Sequence, residues 1–285
     1  MLRIAIQTKG RLNEKTTELL NELGMKVDDA KRKFLQKVEG FPLEVLYLRD
    51  DDIPGVVESG VSSLGIVGYN EVAEKGADVD IVRKLGFGGC RISLAIPKAE
   101  AEQYCGPKYF EGKKIATSYP VILKKYLAEH GVSAQIEVIT GSVEIAPAAG
   151  IADAIFDIVS SGSTLVSNGL LEVEKVFESE AVLIANKNIA EEDRAYLDEL
   201  LFRIGAREQS LGMKYLLMNI PNASLEEAIR ILPAMKSPTV MPLAIDGWSS
   251  MHSVVKESEL WDKVRALKAI GAEGILVLNL DKIIQ

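Results

Sequence analysis

Cysteine and histidine are both scarce, two of each in 285 residues. Cys90 and Cys105 lack the spacing of a zinc or redox motif, and His130 and His252 add too few ligands, so the sequence offers no zinc site. So few cysteines suit a reducing cytoplasm. No apolar run reaches the length of a membrane span. No basic-then-apolar leader precedes the strand-like Leu2–Gln7, so a cytoplasmic chain with no membrane partner is expected. Basic charge is in deficit: 33 Lys and Arg stand against 41 Asp and Glu, a net charge of −8. That excludes a general nucleic-acid binder. It also means that an anionic substrate must meet a local basic cluster against an unfavourable overall field. A dinucleotide fingerprint is missing too. Gly86-Phe87-Gly88-Gly89-Cys90 is not G-x-G-x-x-G in a usable register, and it opens no helix.

What is present is a full core, with 47% hydrophobic and 26% charged residues, in a chain long enough for two or three domains. Strands and helices alternate through the first two-thirds. Leu2–Gln7 is a strand, followed by a turn and a helix that Asn13 can cap and Gly24 ends. Lys9 and Arg11 therefore lie at a strand's carboxyl end, where open α/β sheets place ligands; they read as an anion clamp. Leu43–Leu48 and Leu64–Gly68 are further strands. Asp52 reads as an N-cap for a helix beginning near Pro54. The glycines at 86–89 mark a crossing between two lobes. Pro120 opens a helix that ends near Gly131. Gly141-Ser142-Val143-Glu144 leads into a helix ending near Gly150, with Glu144 in its first turn. Glu172 to Ala185 reads as one long strand that returns the chain to the first lobe, and a helix follows over about 190–211.

The stretch from Asp153 to Leu170 has the strongest site character. An apolar strand, Ala154 to Val159, runs into Ser160-Ser161-Gly162-Ser163-Thr164, and Leu165 and Leu170 mark the buried side of a short helix. Strand, small-residue turn and helix start together present backbone N–H groups to an anion. The hydroxyls add donors where a phosphate would sit. Asp153 and Asp157 cannot hold phosphate, but they can hold sugar hydroxyls or a magnesium ion. These residues point to a pocket for a phosphorylated sugar, although plain strand–helix turns use the same residue types.

The remainder reads as a separate unit. Tyr215–Ile220 is a strand. Ser224 and Glu227 form a capping box for a helix running to about Met235. Thr239–Ile245 and Trp248–Val255 form a hairpin, Ser258 caps a helix that Gly271 ends, and Ile275–Leu280 closes the chain. The order β-α-β-β-α-β is ferredoxin-like. Ser237-Pro238-Thr239 places two hydroxyls around a rigid turn, as a plain loop or as a small-ligand site.

Lys9-Gly10-Arg11-Leu12, Leu64-Gly65-Ile66-Val67-Gly68, Gly141-Ser142-Val143-Glu144-Ile145-Ala146-Pro147 and the 153–170 stretch together resemble the ATP phosphoribosyltransferase family, nearly end to end and in the same order. The C-terminal unit resembles the regulatory domain of the family's long form; short-form members lack it and need a separate partner subunit. The resemblance implies an α/β fold: a two-lobed catalytic part like the periplasmic binding proteins, with a ferredoxin-like, ACT-like regulatory domain. Lobe I would comprise 1–88 and 183–211, lobe II 89–182, and the regulatory domain 212–285. The resemblance also implies transfer of phosphoribose from phosphoribosyl pyrophosphate (PRPP) to N1 of ATP, the first step of histidine biosynthesis. With it come magnesium (its ligands unassigned), feedback inhibition by histidine, and dimers that assemble into hexamers. The family's PRPP loop carries over onto Asp157, Ser160, Ser161, Gly162, Ser163, Thr164 and Leu165, with Asp153 beside it. This chain has Ser161-Gly162-Ser163-Thr164-Leu165 where the usual pattern reads T-G-x-T-L, and the hydroxyl donor is kept. Lys9 and Arg11 would serve phosphates of PRPP or ATP. Glu144 would orient the ribose or the metal, or accept a proton from the adenine amino group. Ser237 and Thr239 would line the histidine site. A non-catalytic two-lobed binding protein or sensor is the competing class.

Overall fold

The computed structural model describes residues 1–27, 34–233 and 235–284. The chain divides into two units, Met1–Leu197 and Asp198–Gln285.

The first unit contains two sheets. β1 (Leu2–Gln7), α1 (Arg11–Glu22), β2 (Leu35–Lys37), β3 (Leu43–Leu48), α2 (Ile53–Glu58), β4 (Leu64–Gly68), α3 (Tyr69–Lys75) and β5 (Val79–Lys84) build the first lobe. The chain then crosses to β6 (Cys90–Pro97), β7 (Lys114–Thr117), α4 (Pro120–Glu129), β8 (Gln135–Val138), β9 (Ala154–Val159), α5 (Ser163–Ser167) and β10 (Leu170–Ser179). It returns as β11 (Ala181–Asn186) to the first sheet. α6 (Glu191–Ser210) follows, and the division between the units falls within it. The sheet orders are β2-β3-β1-β4-β11-β5 and β10-β6-β9-β7-β8. Setting aside the short β2, the two orders match. In each, three parallel strands are followed by one antiparallel strand supplied by a crossing, then by an edge strand. This is the two-lobed arrangement of the periplasmic binding proteins.

The two crossings lie against each other. Leu85 N donates to Ala181 O, and Ala181 N to Phe87 O, both at 2.9 Å. The run from Glu172 to Ala185 is therefore two strands rather than one long one. Its first half pairs with β6 in the second sheet, its second half with β4 and β5 in the first, and Glu180 lies at the break. Apolar patterning marks both halves as strand but carries no sign of a change of sheet.

Two features of α3 join the lobes. The Glu74 carboxylate accepts from Val121 N (2.8 Å) and Ile122 N (3.0 Å), so it caps α4 from the opposite lobe. One turn earlier, Asn70 and Glu71 bond the Tyr119 hydroxyl.

Side chains alternate across the second sheet, as a sheet covered on both faces requires. Along β9, Ala154 and Phe156 enter one cluster with Ile92, Phe110 and Leu123, while Ile155 and Val159 enter another with Ala116, Val143 and Leu165. Leu165 thereby anchors the turn that follows β9.

The second unit follows the order β12 (Met213–Pro221), α7 (Leu225–Ile231), β13 (Thr239–Pro242), β14 (Trp248–Lys256), α8 (Leu260–Ala269) and β15 (Glu273–Asn279). Its sheet, β13-β14-β12-β15, is antiparallel throughout, which is ferredoxin-like. Leu216, Met218 and Ile220 of β12 pack with Met251, Leu260 and Leu267 to form its core.

Helix starts differ from the sequence expectation in a systematic way. A 3-10 turn precedes α2, α7 and α8, over Asp50–Asp52, Asn222–Ser224 and Glu257–Glu259. Asp52 and Ser224 therefore have near-helical backbone angles, not the extended ones that aim a capping side chain at the first turn, and neither makes a cap bond. Ser258 lies inside its 3-10 turn. At α1, Gly10 takes the cap position, and Asn13 donates instead to Gln7 O, tying the helix to the strand before it. α7 stops at Ile231, short of Met235, because Pro233 restricts the residue before it. After Gly141 there is only a 3-10 turn, Val143–Ile145, since Pro147 lacks the N–H a continuing helix would use.

Gly65 is fixed by packing. A Cβ there would lie 2.8 Å from Ile53 Cγ2, 2.9 Å from Val57 Cγ2 and 3.1 Å from Ile184 Cγ1. We expect Gly65→Ala to lower stability by about 1–3 kcal/mol, the usual cost of overpacking a core, as read from urea denaturation midpoints.

Candidate active site

The site is built on the carboxyl ends of β1 and β9, which face each other across the lobes. Gly162, at φ 81°, turns the chain from β9 into α5. The hydroxyls of Ser161 and Ser163 lie 2.9 Å apart, and Ser163 N donates to Ser161 Oγ at 3.4 Å. Ser160, Ser161, Ser163 and Thr164 are exposed while Leu165 is buried. The first-turn N–H groups of α5 have no intrahelical acceptor. The turn therefore offers several neutral donors from one anchored segment.

Arg91 fixes the start of this turn, a role that sequence reading missed. Its guanidinium forms a two-pronged pair with Glu172, Nε and Nη2 each at 2.5 Å, and Nη1 donates to Ser160 O at 3.2 Å. Ser93 Oγ also donates to Glu172, at 2.7 Å. These residues lie about 70–80 positions apart in the sequence, and nothing in their local pattern announces the contact.

Asp157 is half-buried at the end of β9, where it accepts from Ile158 N at 2.8 Å. Burial pushes its pKa up to about 6, and the charge of Glu144 pushes in the same direction. Glu144, on the 3-10 turn after β8, is thus close enough to couple with Asp157. Asp153 is not brought to the loop. It stands before the amino end of β9, four residues from Asp157, about 13 Å along an extended strand. There its carboxylate accepts from Lys114 N at 2.8 Å. Alternation gives Asp153 and Asp157 the same face of the strand but puts them at opposite ends.

Between the lobes lie two adjoining cavities. One, of about 340 Å³, is lined by Gln7, Arg11, Leu12, Asp50, Glu71 and Ile158, among others. The other, of about 840 Å³, is lined by Tyr69, Lys84, Arg91, Lys175 and Glu180, among others. Gly89, Cys90 and Ser160 line both. Arg11 faces the smaller cavity; Lys9 is exposed on the same turn, outside its lining.

Glu71 is the most perturbed carboxylate facing the cleft. It is 7% exposed, and its Oε1 accepts from Asn70 Nδ2 (2.8 Å) and Tyr119 Oη (3.1 Å). Burial raises its pKa to about 7, reinforced by the charges of Asp50 and Asp51, against the opposing Tyr119 hydrogen bond and the charge of Lys75.

Among the described residues, no group of three or more His, Cys, Asp or Glu could hold a metal ion. A magnesium ion that takes most of its ligands from phosphates and water needs only one or two protein carboxylates, and Asp157 with Glu144 meets that need. No described helix is long and apolar enough to cross a membrane.

In the second unit, Ser237 and Thr239 come together around a cavity of about 660 Å³, also lined by Tyr215, Lys236 and His252. The His252 ring is held from both sides, its Nδ1 2.7 Å from Tyr215 Oη and its Nε2 3.1 Å from Ser250 Oγ.

A two-lobed α/β unit with a hydroxyl-rich turn across a cleft from an arginine suits a transferase acting on a phosphorylated sugar. Comparison with known proteins gives the particular family. The family model described as "ATP phosphoribosyltransferase" matches residues 49–206, and that described as "HisG, C-terminal domain" matches 211–282. The ATP phosphoribosyltransferase of Bacteroides thetaiotaomicron is 57% identical over 284 residues, covering all of both chains. That of Cytophaga hutchinsonii is 51% identical, covering 100% of this chain and 99% of the relative. A solved structure of the ATP phosphoribosyl transferase (HisG:HisZ) complex from Thermotoga maritima aligns with a TM-score of 0.60 at 29% identity, over 72% of this chain and 98% of that one. The chain belongs to the ATP phosphoribosyltransferase family, and it is a pentosyltransferase.

The buried Glu71 has a consequence for stability. Below its unfolded value of 4.5 both states hold the proton. As pH rises from there to about 7, the unfolded chain ionises while the fold still holds the proton, so stability falls. Above that range the full cost applies, about 3 kcal/mol for a shift of this size. We expect Glu71→Gln to gain stability over the parent by up to that amount at pH 8 relative to pH 4.5. Urea titrations at the two pH values check this, and an equal difference at both would show that ionisation carries no cost.

Proposed function

We infer that this chain transfers the phosphoribosyl group of PRPP to N1 of the adenine of ATP and releases pyrophosphate, the first step of histidine biosynthesis. The observation that carries this reading is the pair of adjoining cavities meeting at Ser160. Ser160 is the member of the turn after β9 that lines both, so a substrate held by that turn would meet one seated in the smaller cavity there. We take residues 1–88 and 183–211 as one catalytic lobe, 89–182 as the other and 212–285 as regulatory.

Ser160, Ser161, Gly162, Ser163 and Thr164 grip the 5′-phosphate of PRPP through hydroxyls and backbone N–H groups, and Leu165 anchors them. Asp157 takes the ribose hydroxyls and so fixes the anomeric carbon, with Glu144 beside it to hold ribose or metal. Lys9 and Arg11 meet phosphate charge from the opposite wall. Adenine N1 is a weak nucleophile, so the leaving group must depart readily, and fixed cations opposite the pyrophosphate favour that departure. Alignment of the two reactants contributes as well; oriented reactions gain roughly 7–11 kcal/mol. A magnesium ion, held by Asp157 or Glu144, would supply further neutralisation at the leaving oxygens.

The second unit supports feedback control. Its cavity puts the Ser237 and Thr239 hydroxyls beside Tyr215 and His252, polar groups suited to the amino and carboxylate ends of free histidine. Leu276, Val277 and Leu278 are exposed on the edge strand β15, which supports assembly of copies into dimers and hexamers. Two unpaired cysteines, Cys90 and Cys105, suit a cytoplasmic enzyme.

The direct test mixes the protein with ATP, PRPP and Mg²⁺ and follows pyrophosphate and the adduct's absorbance; no product would sink the reading. For the ribose assignment, Asp157→Ala should raise the dissociation constant for PRPP at least tenfold while that for ATP changes less than twofold. Calorimetric titration of each ligand separates the two. For the regulatory site, Ser237→Val with Thr239→Val should bring the ratio of rates with and without histidine close to one. An unchanged ratio would remove the site from this cavity.

A further inference from the structure

The reaction leaves a proton to be placed. When the N1 lone pair forms its bond to C1′, the C1′–O bond breaks and its electron pair departs on pyrophosphate. The adenine is then cationic, with the charge shared between N1 and the 6-amino nitrogen. Loss of one 6-amino proton, its N–H electron pair staying, takes the ring to its neutral form. We propose that Glu71 is the base that takes this proton, with the adenine ring seated in the smaller cavity against Glu71 and Asp50. The proposal rests on the reading of ATP as nucleophile given above.

Three features of the cavity carry it. Glu71 is more than nine-tenths buried yet lines the cavity. Its Oε1 is held by Asn70 and Tyr119, while Oε2 makes no hydrogen bond among the described residues. The carboxylate is thus fixed by one oxygen, leaving the other for a ligand. Leu12 and Ile158 give the cavity apolar walls suited to a flat base. Asp50 is oriented separately, accepting from Gln7 Nε2 at 3.2 Å and from Asp51 N at 3.1 Å. A pair of carboxylate acceptors recognises an exocyclic amine, which donates two hydrogens, and disfavours a carbonyl at the same position. Asp157 is less suited to the task, since it stands at the end of β9 before the phosphate turn, where the sugar must lie.

The surroundings of Glu71 suit a base working near neutrality. Asp50 and Asp51 on the 3-10 turn before α2 raise its pKa, Lys75 on its own helix lowers it, Tyr119 from the opposite lobe donates a hydrogen bond, and the Cys90 thiol of β6 lies close by. Arg11 lines the same cavity. With a pKa of about 7, Glu71 is substantially ionised at working pH yet still basic enough to accept a proton.

The test is the pH dependence of kcat/KM for ATP at saturating PRPP and Mg²⁺, from pH 5.5 to 8.5, in the parent enzyme, E71Q and D50N. Comparison with the parent removes the ionisation of the substrate's own phosphates. The parent should show an acid limb centred near 7. E71Q should lose that limb and fall about 100-fold or more, the ordinary range for removing a general base. D50N should keep the limb but move it to lower pH, because it removes a charge that holds the Glu71 proton on; this variant leaves Glu71 and its Tyr119 contact in place. An E71Q profile that matches the parent overturns the assignment, as does a D50N limb that does not move. A parent enzyme that forms no adduct from ATP and PRPP overturns the substrate reading itself.

Discussion

The catalytic unit depends on how its two lobes are joined. Backbone bonds between the crossings at Leu85 to Phe87 and at Ala181 set the hinge. One short helix, α3, then reaches over to the other lobe twice. Glu74 caps α4, and one turn back Glu71 and Asn70 hold the Tyr119 hydroxyl. A carboxylate at a helix start satisfies donors that would otherwise lack partners, and it interacts favourably with the helix dipole. Here that stabilisation is shared between lobes, so opening the cleft strips the cap from α4. The same helix that sets the lobe contact also brings Glu71 to the cavity. Position of the wall and chemistry of the wall are therefore coupled.

A chain with net charge −8 must bind two polyanions. The proposed phosphate turn would manage this largely with neutral donors. Hydroxyls and N–H groups of Ser160 to Thr164 bring no countercharge that would have to be desolvated. Arg91 is paired with Glu172 and holds the Ser160 carbonyl at the start of the turn. Lysine at position 91 would lose that two-pronged geometry, because an ammonium is a point charge while the guanidinium is a planar fork.

Much of the fold was legible in the sequence because strand and helix periods, together with glycine stops such as Gly24 and Gly271, are local signals. β1, β3, β4, β9 and the ferredoxin-like order of the second unit follow from them. What was not legible is tertiary in origin. Residues 172–185 have strand patterning throughout, yet the chain changes sheet at Glu180, and only pairing partners reveal it. Asp52, Ser224 and Ser258 are residue types that favour caps, but the 3-10 turns leading into their helices remove the backbone angles that capping needs. At the site, the strand–turn–helix geometry around Ser160 to Thr164 could be read because it lies in one contiguous segment. Arg91, Glu172, Glu71 and Tyr119 could not, since each becomes informative only beside a partner tens of residues away. Asp153 is the converse: its nearness to Asp157 in sequence suggested a shared role that four residues of extended strand prevent.

Two carboxylates, Asp157 before the turn from Ser160 to Thr164 and Glu71 in the smaller cavity, have pKa values pushed up to about 6 and about 7, in both cases chiefly by burial. Fully ionised acids there would repel the phosphates that the cleft must admit, and burying their charge would cost stability. Groups that titrate near neutrality ease both problems, since part of the population carries no charge when the substrates arrive. The same shift makes each a better proton acceptor than an ordinary carboxylate once it is ionised. The neighbouring acids, Glu144 beside Asp157 and Asp50 beside Glu71, therefore act on the site by tuning as well as by contact. Removing either should alter the chemistry of its partner even where it touches no substrate, which is the behaviour expected of paired titratable groups whose surroundings set their proton affinities apart.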